Sequence, residues 1–404
     1  MIRNIRNSLK RIEGHTIKTP LHLSERLSDK YNCEVYLKRE DLQKTRSFKI
    51  RGSLNKILKN YDSLKTKEIV CASAGNHAQG VAFSCSLLNV QGKIFCPETT
   101  PPQKLKRIKH FGKNTISLEQ FGDNFNQCLE YAMDYSEKTD GIFIHPFNDM
   151  DIIEGQGTIG LEIWDEMNDF DILVGCLGGG GLMSGISGFL NDKGVKLYGV
   201  EPKGADSMKI SLKFDRIISL GDVDNFVDGA SVGRVGDLTF EMCKKYLDNI
   251  FVVNNGRICN EMLELYQEDG IIVEPAGCLS ICGLDYIKDL KGKKVVCIVS
   301  GGNNDIMRYP EILEKNSIYL GVKHYYIVEF SQKPMELRRF IEYVLDEGDD
   351  ITRFEYIKKT NKTYGQVLVG FESNNIDRLE KKMNLKGFKF RKINESDLIF
   401  SYLI

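Results

Sequence analysis

From about Glu34 to Leu320, short apolar, β-rich runs alternate with longer stretches whose apolar positions recur at helical spacing. The short runs predict strands at Glu34–Lys38, Glu68–Ala72, Lys93–Cys96, Asp171–Cys176, Lys196–Glu201 and Lys294–Val299. The stretches between them predict helices such as Ala78–Leu88, Phe125–Thr139 and Gly181–Leu190. Alternating strands and helices indicate an α/β fold with an open, mostly parallel sheet covered by helices on both faces.

The pattern changes after about Gly321. A strand at Tyr325–Phe330 is followed by a helix, two strands, a second helix and a final β-like run. The helices and strands in the middle of this order are predicted at Pro334–Leu345, Ile351–Lys358, Gln366–Glu372 and Ile376–Met383. The order βαββαβ describes a small ferredoxin-like unit. We place the boundary within Asn316–Lys323, which gives domains at residues 1–320 and 321–404.

Charge and composition argue against several classes of protein. Lys and Arg (55) nearly balance Asp and Glu (56), so electrostatics gives no reason to expect nucleic acid or an anionic membrane as partner. No apolar run is long enough to span a bilayer, and the start lacks the apolar stretch of a signal peptide. The 11 cysteines include no C-x-x-C pair, which favours reduced, buried thiols in a cytoplasmic protein. The 6 histidines show no metal-ligand spacing, so we expect no catalytic zinc.

The segment S-F-K-I-R-G at Ser47–Gly52 carries the first candidate chemistry. Lys49 precedes an amphipathic stretch and is therefore expected to open a helix, whose positive end disfavours a protonated amine. A lysine with a lowered pKa can form a Schiff base. Taken alone, the segment fits a solvated surface lysine more simply.

A second segment, S-A-G-N-H-A-Q-G at Ser73–Gly80, follows a predicted strand. Small residues before a helix expose a row of backbone N–H groups that can hold a carboxylate. Asn76 can donate a hydrogen bond to a phenolate-like oxygen, whereas a structural role is favoured for His77. Read alone, the segment is also compatible with a plain strand-to-helix turn.

Two further segments follow apolar strands. Four successive glycines and a leucine, Gly178–Leu182, suit a close approach of backbone amides to a phosphate, or a tight packing turn. The spacing of a nucleotide P-loop or a dinucleotide fingerprint is missing, which points to a compact phosphate. In S-G-G-N, Ser300 can meet a pyridine nitrogen at the end of a strand. A neutral hydroxyl makes a weaker electron sink than a carboxylate would, and this favours loss of a β-leaving group.

In this order, the four segments resemble the fold-type II pyridoxal-phosphate enzymes, whose fold is that of the tryptophan synthase β subunit, and among them the threonine dehydratases. The resemblance covers nearly the whole chain. It implies pyridoxal 5'-phosphate as the cofactor and two open α/β lobes, the smaller at about residues 52–143. It also implies activity on L-threonine, with L-serine as a secondary substrate, to give 2-oxobutanoate and ammonia in the first committed step of isoleucine biosynthesis.

The resemblance also implies roles for individual residues. Lys49, beside Phe48, forms the Schiff base with the cofactor and removes the Cα proton. Asn76 contacts the ring oxygen and Ser300 the ring nitrogen. The cofactor phosphate is bound by Gly178, Gly179, Gly180, Gly181 and Leu182, and the substrate carboxylate site is lined by Ser73, Ala74, Gly75 and His77. Glu274, in E-P-A-G, matches a motif near the active site whose role stays open.

The tail resembles a single ACT-like regulatory domain through its βαββαβ order and the segment Asp349–Tyr356. This likeness implies feedback by isoleucine, sometimes opposed by valine, and a homotetramer. A purely structural assembly domain is the alternative. Related serine racemases have a divalent-cation site with a second carboxylate where Ser207 stands, so near Glu201 we expect a monovalent ion or no metal.

Two other functions remain open. One is a serine racemase or serine/hydroxyaspartate dehydratase on the same fold. The other is a non-catalytic amino-acid sensor with a dead site, against which the intact Lys49, Asn76, glycine segment and Ser300 argue.

Overall fold

The computed structural model of the chain describes residues 1–357, 362–394 and 397–403. Its contacts divide the chain into two compact units, Met1–Asn304 and Asp305–Ile404. The helix at Tyr309–Tyr319 therefore belongs to the second unit, and the domain boundary near residue 320 stays a prediction.

The first unit alternates strands and helices as the apolar pattern predicts. Its strands are β1 (Leu21–Leu23), β2 (Glu34–Arg39), β3 (Ile69–Ala72), β4 (Gly92–Cys96), β5 (Ile116–Gln120), β6 (Ile142–Phe143), β7 (Ile172–Cys176), β8 (Lys196–Pro202), β9 (Asn249–Val253) and β10 (Lys294–Val299). Its helices are α1 (Ile2–Ile12), α2 (Glu25–Tyr31), α3 (Lys49–Lys59), α4 (Asn76–Leu88), α5 (Pro102–Gly112), α6 (Phe125–Lys138), α7 (Met150–Glu166), α8 (Gly181–Leu190), α9 (Ser207–Lys213), α10 (Asp237–Tyr246), α11 (Asn255–Gln267) and α12 (Leu279–Cys282).

The strands of this unit form two open sheets. The larger has the order β1-β2-β10-β7-β8-β9 and is parallel except for β1. The smaller has the order β5-β4-β3-β6 and is parallel throughout. The central strands β3 and β7 are buried along their whole length, as expected for parallel sheets covered on both faces. Ligands of such sheets bind at the carboxyl ends of the strands.

Glycines allow two long helices to pack closely behind the larger sheet. A Cβ atom on Gly185 of α8 would lie 2.3 Å from the Ile153 carbonyl oxygen of α7. A Cβ on Gly157 of α7 would lie 2.8 Å from the carbonyl oxygen of Gly185. The two backbones can approach this closely only without side chains at both positions. This packing fixes the position of α8, which begins directly after the glycine segment.

The second unit contains helix α13 (Tyr309–Tyr319) and then the βαββαβ order that the sequence predicts. Its elements are β11 (Lys323–Ser331), α14 (Glu336–Val344), β12 (Asp350–Tyr356), β13 (Tyr364–Glu372), α15 (Ile376–Leu385), β14 (Phe390–Lys392) and α16 (Phe400–Leu403). The sheet is antiparallel with the order β12-β13-β11-β14, which confirms the ferredoxin-like arrangement. The end of the predicted strand at Lys358 lies outside the described residues.

Aromatic side chains dominate the core of the second unit. Phe330, Phe340 and Phe388 contact one another, with ring centroids 5.0–5.5 Å apart. All three are at most 3% exposed. In the first unit all eleven cysteines are buried with free thiols, as predicted. Among the described helices, none combines the length and the apolar character that crossing a bilayer requires.

Candidate active site

The four segments singled out in the sequence meet at the carboxyl ends of β3, β7 and β10. The segment before Lys49 pairs with the one after β10: the amide of Phe48 donates to the Ser300 carbonyl (3.1 Å), and the amide of Gly302 donates to the Arg46 carbonyl (2.9 Å). Asn303 Nδ2 donates to Asn76 Oδ1 (2.7 Å), and this bond links the loop after β10 of the larger sheet to the loop after β3 of the smaller sheet. The motifs therefore form one site.

Lys49 is the first residue of α3 and is partly buried. Its Nζ donates to the Pro146 carbonyl (2.9 Å) and lies 5.3 Å from the centroid of the Phe48 ring. Burial lowers the pKa of Lys49 to about 8, although Cys176 and Glu274 act in the opposite direction. The sequence argument relied on the positive end of a helix, but burial is the main cause. With this pKa about a tenth of the amine is neutral at pH 7, far more than for an ordinary lysine, and the neutral amine is the form that acts as a Schiff-base nucleophile.

The loop between β3 and α4 presents free backbone amides. Ser73 Oγ accepts from the Gly75 amide (3.2 Å), and a Cβ on Gly75 would meet no atom within 4 Å. Within the described part of the chain, no acceptor receives the amides of Ala74, Asn76, His77 and Ala78. These amides lie at the positive end of a thirteen-residue helix. The loop can therefore hold a carboxylate.

The His77 side chain is buried and bonded to the backbone. Its Nε2 lies 2.8 Å from the Ile144 carbonyl, and burial, followed by the charge of Lys49, lowers its pKa to about 3. This environment keeps the ring neutral and fits the structural role favoured from the sequence. Any contribution to a carboxylate site comes from its backbone amide.

The loop after β6 forms one wall of the site and was missed in the sequence. His145 Nδ1 accepts from the amides of Phe147 (3.1 Å) and Asn148 (2.8 Å), and burial lowers the His145 pKa to about 4. These bonds shape the turn that places the Pro146 carbonyl on Lys49. The available signal was a His-Pro pair directly after an apolar run, at the end of a strand.

The glycine segment lies directly beneath Phe147. A Cβ on Gly179 would lie 2.2 Å from the Phe147 ring, and a Cβ on Gly181 would lie 3.0 Å from the Phe147 Cα. Gly180 has φ +89°, a conformation that favours glycine. Among the described residues, none accepts the amides of Gly178–Leu182. The segment thus combines tight packing with free amides at the start of α8, a combination that suits a phosphate.

Ser300 directly follows β10 and is 1% exposed. Its Oγ donates to the Ala276 carbonyl (3.1 Å), so the lone pairs of the hydroxyl remain available for a second partner. Cys176 lies at the end of β7, and burial raises its pKa to about 11. The Cys176 thiol is therefore protonated and carries no charge into the site.

Glu274 is the other titratable group of the site. It is 5% exposed, and its Oε1 accepts from Asn76 Nδ2 (2.6 Å). Burial, followed by the charge of Asp228, raises the pKa of Glu274 to about 7. The sequence pointed to this residue without assigning a role, and the structure places it against Asn76.

The free amides, the buried amine of Lys49 and the hydroxyl of Ser300 fit the phosphate, aldehyde and ring nitrogen of pyridoxal phosphate. At Glu201, by contrast, both carboxylate oxygens accept backbone amides, from Met208 and Lys209 (2.8 Å each). Ser207 Oγ donates to the Val232 carbonyl (2.6 Å). No three His, Cys, Asp or Glu side chains within the described ranges are grouped so that they could hold a metal ion.

Comparison with protein families gives two matches. Residues 12–301 match the family described as "Pyridoxal-phosphate dependent enzyme". Residues 314–403 match "C-terminal regulatory domain of Threonine dehydratase". Together these matches confirm the fold class predicted from the motifs.

The curated relatives extend over nearly the full chain. A protein of Halalkalibacterium halodurans named "L-threonine dehydratase biosynthetic IlvA" is 47% identical over 395 residues, which are 96% of this chain and 95% of the relative. The protein of the same name from Bacillus subtilis is 45% identical over 414 residues, covering 100% and 97%.

Two solved structures illustrate the likeness in three dimensions. Processed threonine deaminase isoform 2 of Solanum lycopersicum has a TM-score of 0.72 and 36% identity, over 78% of this chain and 92% of its own. Maize serine racemase has a TM-score of 0.71 and 28% identity, over 79% and 98%. The matches confirm pyridoxal phosphate as the cofactor, and the chain belongs to the threonine dehydratase family of pyridoxal-phosphate-dependent enzymes.

Proposed function

We propose that the chain is an L-threonine ammonia-lyase, which converts L-threonine to 2-oxobutanoate and ammonia and accepts L-serine less well. The full-length relatives named as threonine dehydratases support this proposal. The observation that carries it is the arrangement around Lys49: a partly neutral buried amine between two loops of free amides, one suited to a phosphate and one to a carboxylate.

When bound, the cofactor supplies the electron sink for the substrate Cα. The amides of Gly178–Leu182 would hold its phosphate, Ser300 would meet its ring nitrogen and Asn76 its ring oxygen. The substrate carboxylate would lie against Ser73, Ala74, Gly75 and His77. This leaves the amine of Lys49 to take the Cα proton, for which a pKa near 8 is well matched to neutral pH. Phe147 covers the glycine segment and helps to exclude water.

The direct test is to measure 2-oxobutanoate formed from L-threonine by the purified holoenzyme, with L-serine in parallel. We expect both substrates to be deaminated and threonine to give the higher kcat/KM. A holoenzyme that shows the absorbance of its lysine–cofactor Schiff base but forms no 2-oxo acid would contradict the proposal. That result would favour the non-catalytic sensor.

Serine racemase is the second candidate because maize serine racemase shares the fold. Racemisation needs a proton donor on each face of the Cα carbanion. In serine racemases, a serine just before the glycine of S-x-G-N-H serves the face opposite the lysine. Ala74 occupies that position here and has no proton to give. A well-placed general acid contributes roughly 10²- to 10⁴-fold in rate, so we expect elimination with negligible D-serine.

Chiral chromatography of the serine reaction separates the two activities. D-serine accumulating as fast as pyruvate would contradict the dehydratase proposal. The complementary variant is Ala74→Ser, which we expect to increase racemisation while the variant still forms the Schiff base. Ser73→Ala is a matched control, since it removes a neighbouring hydroxyl instead of adding one.

We also propose that the second unit binds a branched-chain effector, with isoleucine as the inhibitor and valine opposing it. Its family match supports a regulatory role. It contains a cleft of about 540 Å³ whose wall includes Phe330, Met335, Leu337 and Ile341, with Lys333 beside them. Two cations, Lys333 and Arg338, and two carboxylates, Glu336 and Glu342, also line the cleft. Apolar side chains with charges of both signs suit an aliphatic amino acid with its carboxylate and ammonium groups.

Truncation after Leu320 tests this regulation. We expect the shortened enzyme to keep threonine deamination and to lose its response to isoleucine and valine, because allostery requires a second site. Unchanged isoleucine inhibition would place the site elsewhere. The state of assembly must be measured in parallel by light scattering. For the intact chain we propose a homotetramer in the cytoplasm, where a reducing environment suits eleven free thiols.

A further inference from the structure

A chain of side-chain hydrogen bonds runs through the site. Asn303 Nδ2 donates to the Thr45 carbonyl (2.8 Å) and to Asn76 Oδ1 (2.7 Å). Asn76 Nδ2 in turn donates to Glu274 Oε1 (2.6 Å). The chain starts at a backbone carbonyl before Lys49 and ends at a carboxylate, and its three side chains come from distant parts of the sequence.

The donors and acceptors in this series of hydrogen bonds follow from the groups at its two ends. A backbone carbonyl can only accept, so the group of Asn303 that faces Thr45 must be its NH₂. The same NH₂ faces Asn76, so the oxygen of Asn76 must point to Asn303 and its NH₂ to Glu274. Glu274 accepts this bond in either protonation state. One N–H of Asn76 is then left without an acceptor among the described residues.

The Glu274 carboxylate is itself held firmly. The backbone amide of Glu274 donates to the Gly301 carbonyl (3.2 Å), and a Cβ on Gly301 would lie 2.4 Å from Glu274 Oε1. A Cβ on Gly229 would lie 3.4 Å from the same oxygen. The carboxylate thus fills a space that two glycines leave open, and it can hardly move away from Asn76.

We propose that Glu274 is a positioning residue which, together with Asn303, fixes the Asn76 amide so that its remaining N–H faces the cofactor. Asn76 acts on the cofactor directly, whereas Glu274 acts through Asn76. The inference rests on the proposed function, because it adds a residue to the same site. It explains why a carboxylate is buried here although no lysine or arginine of the described residues forms an ion pair with it.

The charges around Glu274 decide when it ionises. Burial and the charge of Asp228 raise the pKa of Glu274 to about 7, while the side-chain amide of Asn76, the backbone amide of Asn303 and the charge of Lys104 act against this. Lys49, Arg107 and Cys176 also interact with its charge. Glu274 therefore changes charge near neutral pH, and a carboxylate draws the Asn76 amide more strongly than a neutral acid does. The hydrogen bond from Asn76 to the cofactor should change with it.

The test is a pH titration of the absorbance of the substrate-free holoenzyme. We expect a spectral step near neutral pH in the wild type and none in Glu274→Gln, whose amide accepts from Asn76 but does not titrate. Glu154→Gln is the matched control: Glu154 is 4% exposed, lies on α7 and accepts from Asn4 Nδ2 at the same 2.6 Å. We expect Glu154→Gln to keep the step.

The kinetic expectation is a fall in kcat of roughly tenfold for Glu274→Gln, with KM little changed, since the bond from Glu274 orients the Asn76 side chain, which faces the cofactor, and leaves the Asn76 backbone amide in place. Asn303→Ala removes the other anchor and should lower kcat similarly. This second variant keeps the inference testable if Glu274→Gln folds poorly.

An identical spectral step in the wild type and Glu274→Gln would overturn the inference. An unchanged kcat in both Glu274→Gln and Asn303→Ala would overturn it as well. Failure of the proposed function looks different. In that case the wild type itself forms no 2-oxobutanoate, whatever the state of Glu274.

Discussion

Lys49 and Arg51 lie two residues apart on α3, yet their surroundings are opposite. Arg51 has no solvent exposure and bonds two carboxylates, Glu40 (2.8 Å) and Glu162 (2.6 Å). Lys38 bonds Glu162 in turn (2.8 Å), so two cations face two anions. The charge of this group balances, and every side chain in it has a charged partner.

The group around Lys49 lacks this balance. The Lys49 amine donates to a carbonyl, and the carboxylate of Glu274 accepts from an amide. Burial therefore lowers the pKa of Lys49 and raises that of Glu274, whereas Arg51 lowers the pKa of the buried Glu40 despite its burial. A helix turns about 100° per residue, so positions i and i+2 face different surroundings. One turn of α3 thus carries a structural ion network on one side and titratable chemistry on the other.

The largest effect is expected from Lys49→Ala. It should reduce threonine turnover by roughly 10³-fold or more, because it removes both the Schiff-base amine and the proposed Cα base. Without cofactor, the variant should be at least as stable as the wild type below pH 8, because there the wild type carries a charged amine in a buried position, which disfavours folding. Activity assays and thermal unfolding measure the two properties.

Lys59→Ala is the matched control, since Lys59 ends the same helix and bonds Asp151 at the surface. It should leave turnover unchanged. Residual Schiff-base absorbance and turnover in Lys49→Ala would show that another residue holds the cofactor.

Arg51→Met, by contrast, should lower the stability of the fold. Removing Arg51 leaves two buried carboxylates with only Lys38 as a partner, and breaking such a network typically costs about 3–5 kcal/mol. Denaturant unfolding measures this loss. The exposed pair Arg338–Glu342 offers a contrast, because solvent screens that pair and Arg338→Met should leave the free energy of unfolding almost unchanged. If both substitutions cost the same, the buried network does not have the structural role assigned to it.

Two of the buried glutamates, Glu274 and Glu40, should change the stability of the protein with pH in opposite directions. The pKa of Glu274 is raised from 4.5 to about 7, so its ionisation weakens the folded state as pH rises from about 4.5 through 7. In Glu274→Gln this cost is absent, and the cofactor-free variant should gain up to roughly 3 kcal/mol over the wild type at pH 8. The gain should vanish below about pH 4.5.

The pKa of Glu40 is lowered, so its contribution to stability is present above its unfolded pKa and is lost as pH falls through the folded value. Glu40→Gln should therefore destabilise the protein at neutral pH, and the difference should shrink in acid. Unfolding free energies of both variants across this range test the comparison. Changes of the same sign would refute it.

Local patterns in the sequence were enough to predict several elements. Helix Gly181–Leu190 and strand Lys294–Val299 have the bounds that the apolar periodicity and the neighbouring glycines indicate. The sequence argument did not place α7, Met150–Glu166, because this helix is buried on most sides and its glycines weaken the amphipathic pattern. The predicted helix Pro334–Leu345 begins later, at Glu336, because Met335 has φ +71°.

The sequence by itself also determined which chemistry the site can support, because Lys49, the free-amide loops and Ser300 belong to short motifs whose local geometry follows from strand ends and helix starts. Only the tertiary structure decided the pKa values and hydrogen-bond partners of these groups. Glu274 and Asn76 are 198 positions apart, and Asn303 and Asn76 are 227 apart. Periodicity and turn chemistry act over a few residues, whereas a pKa depends on burial and on every charge nearby. Those are known only once distant segments have come together.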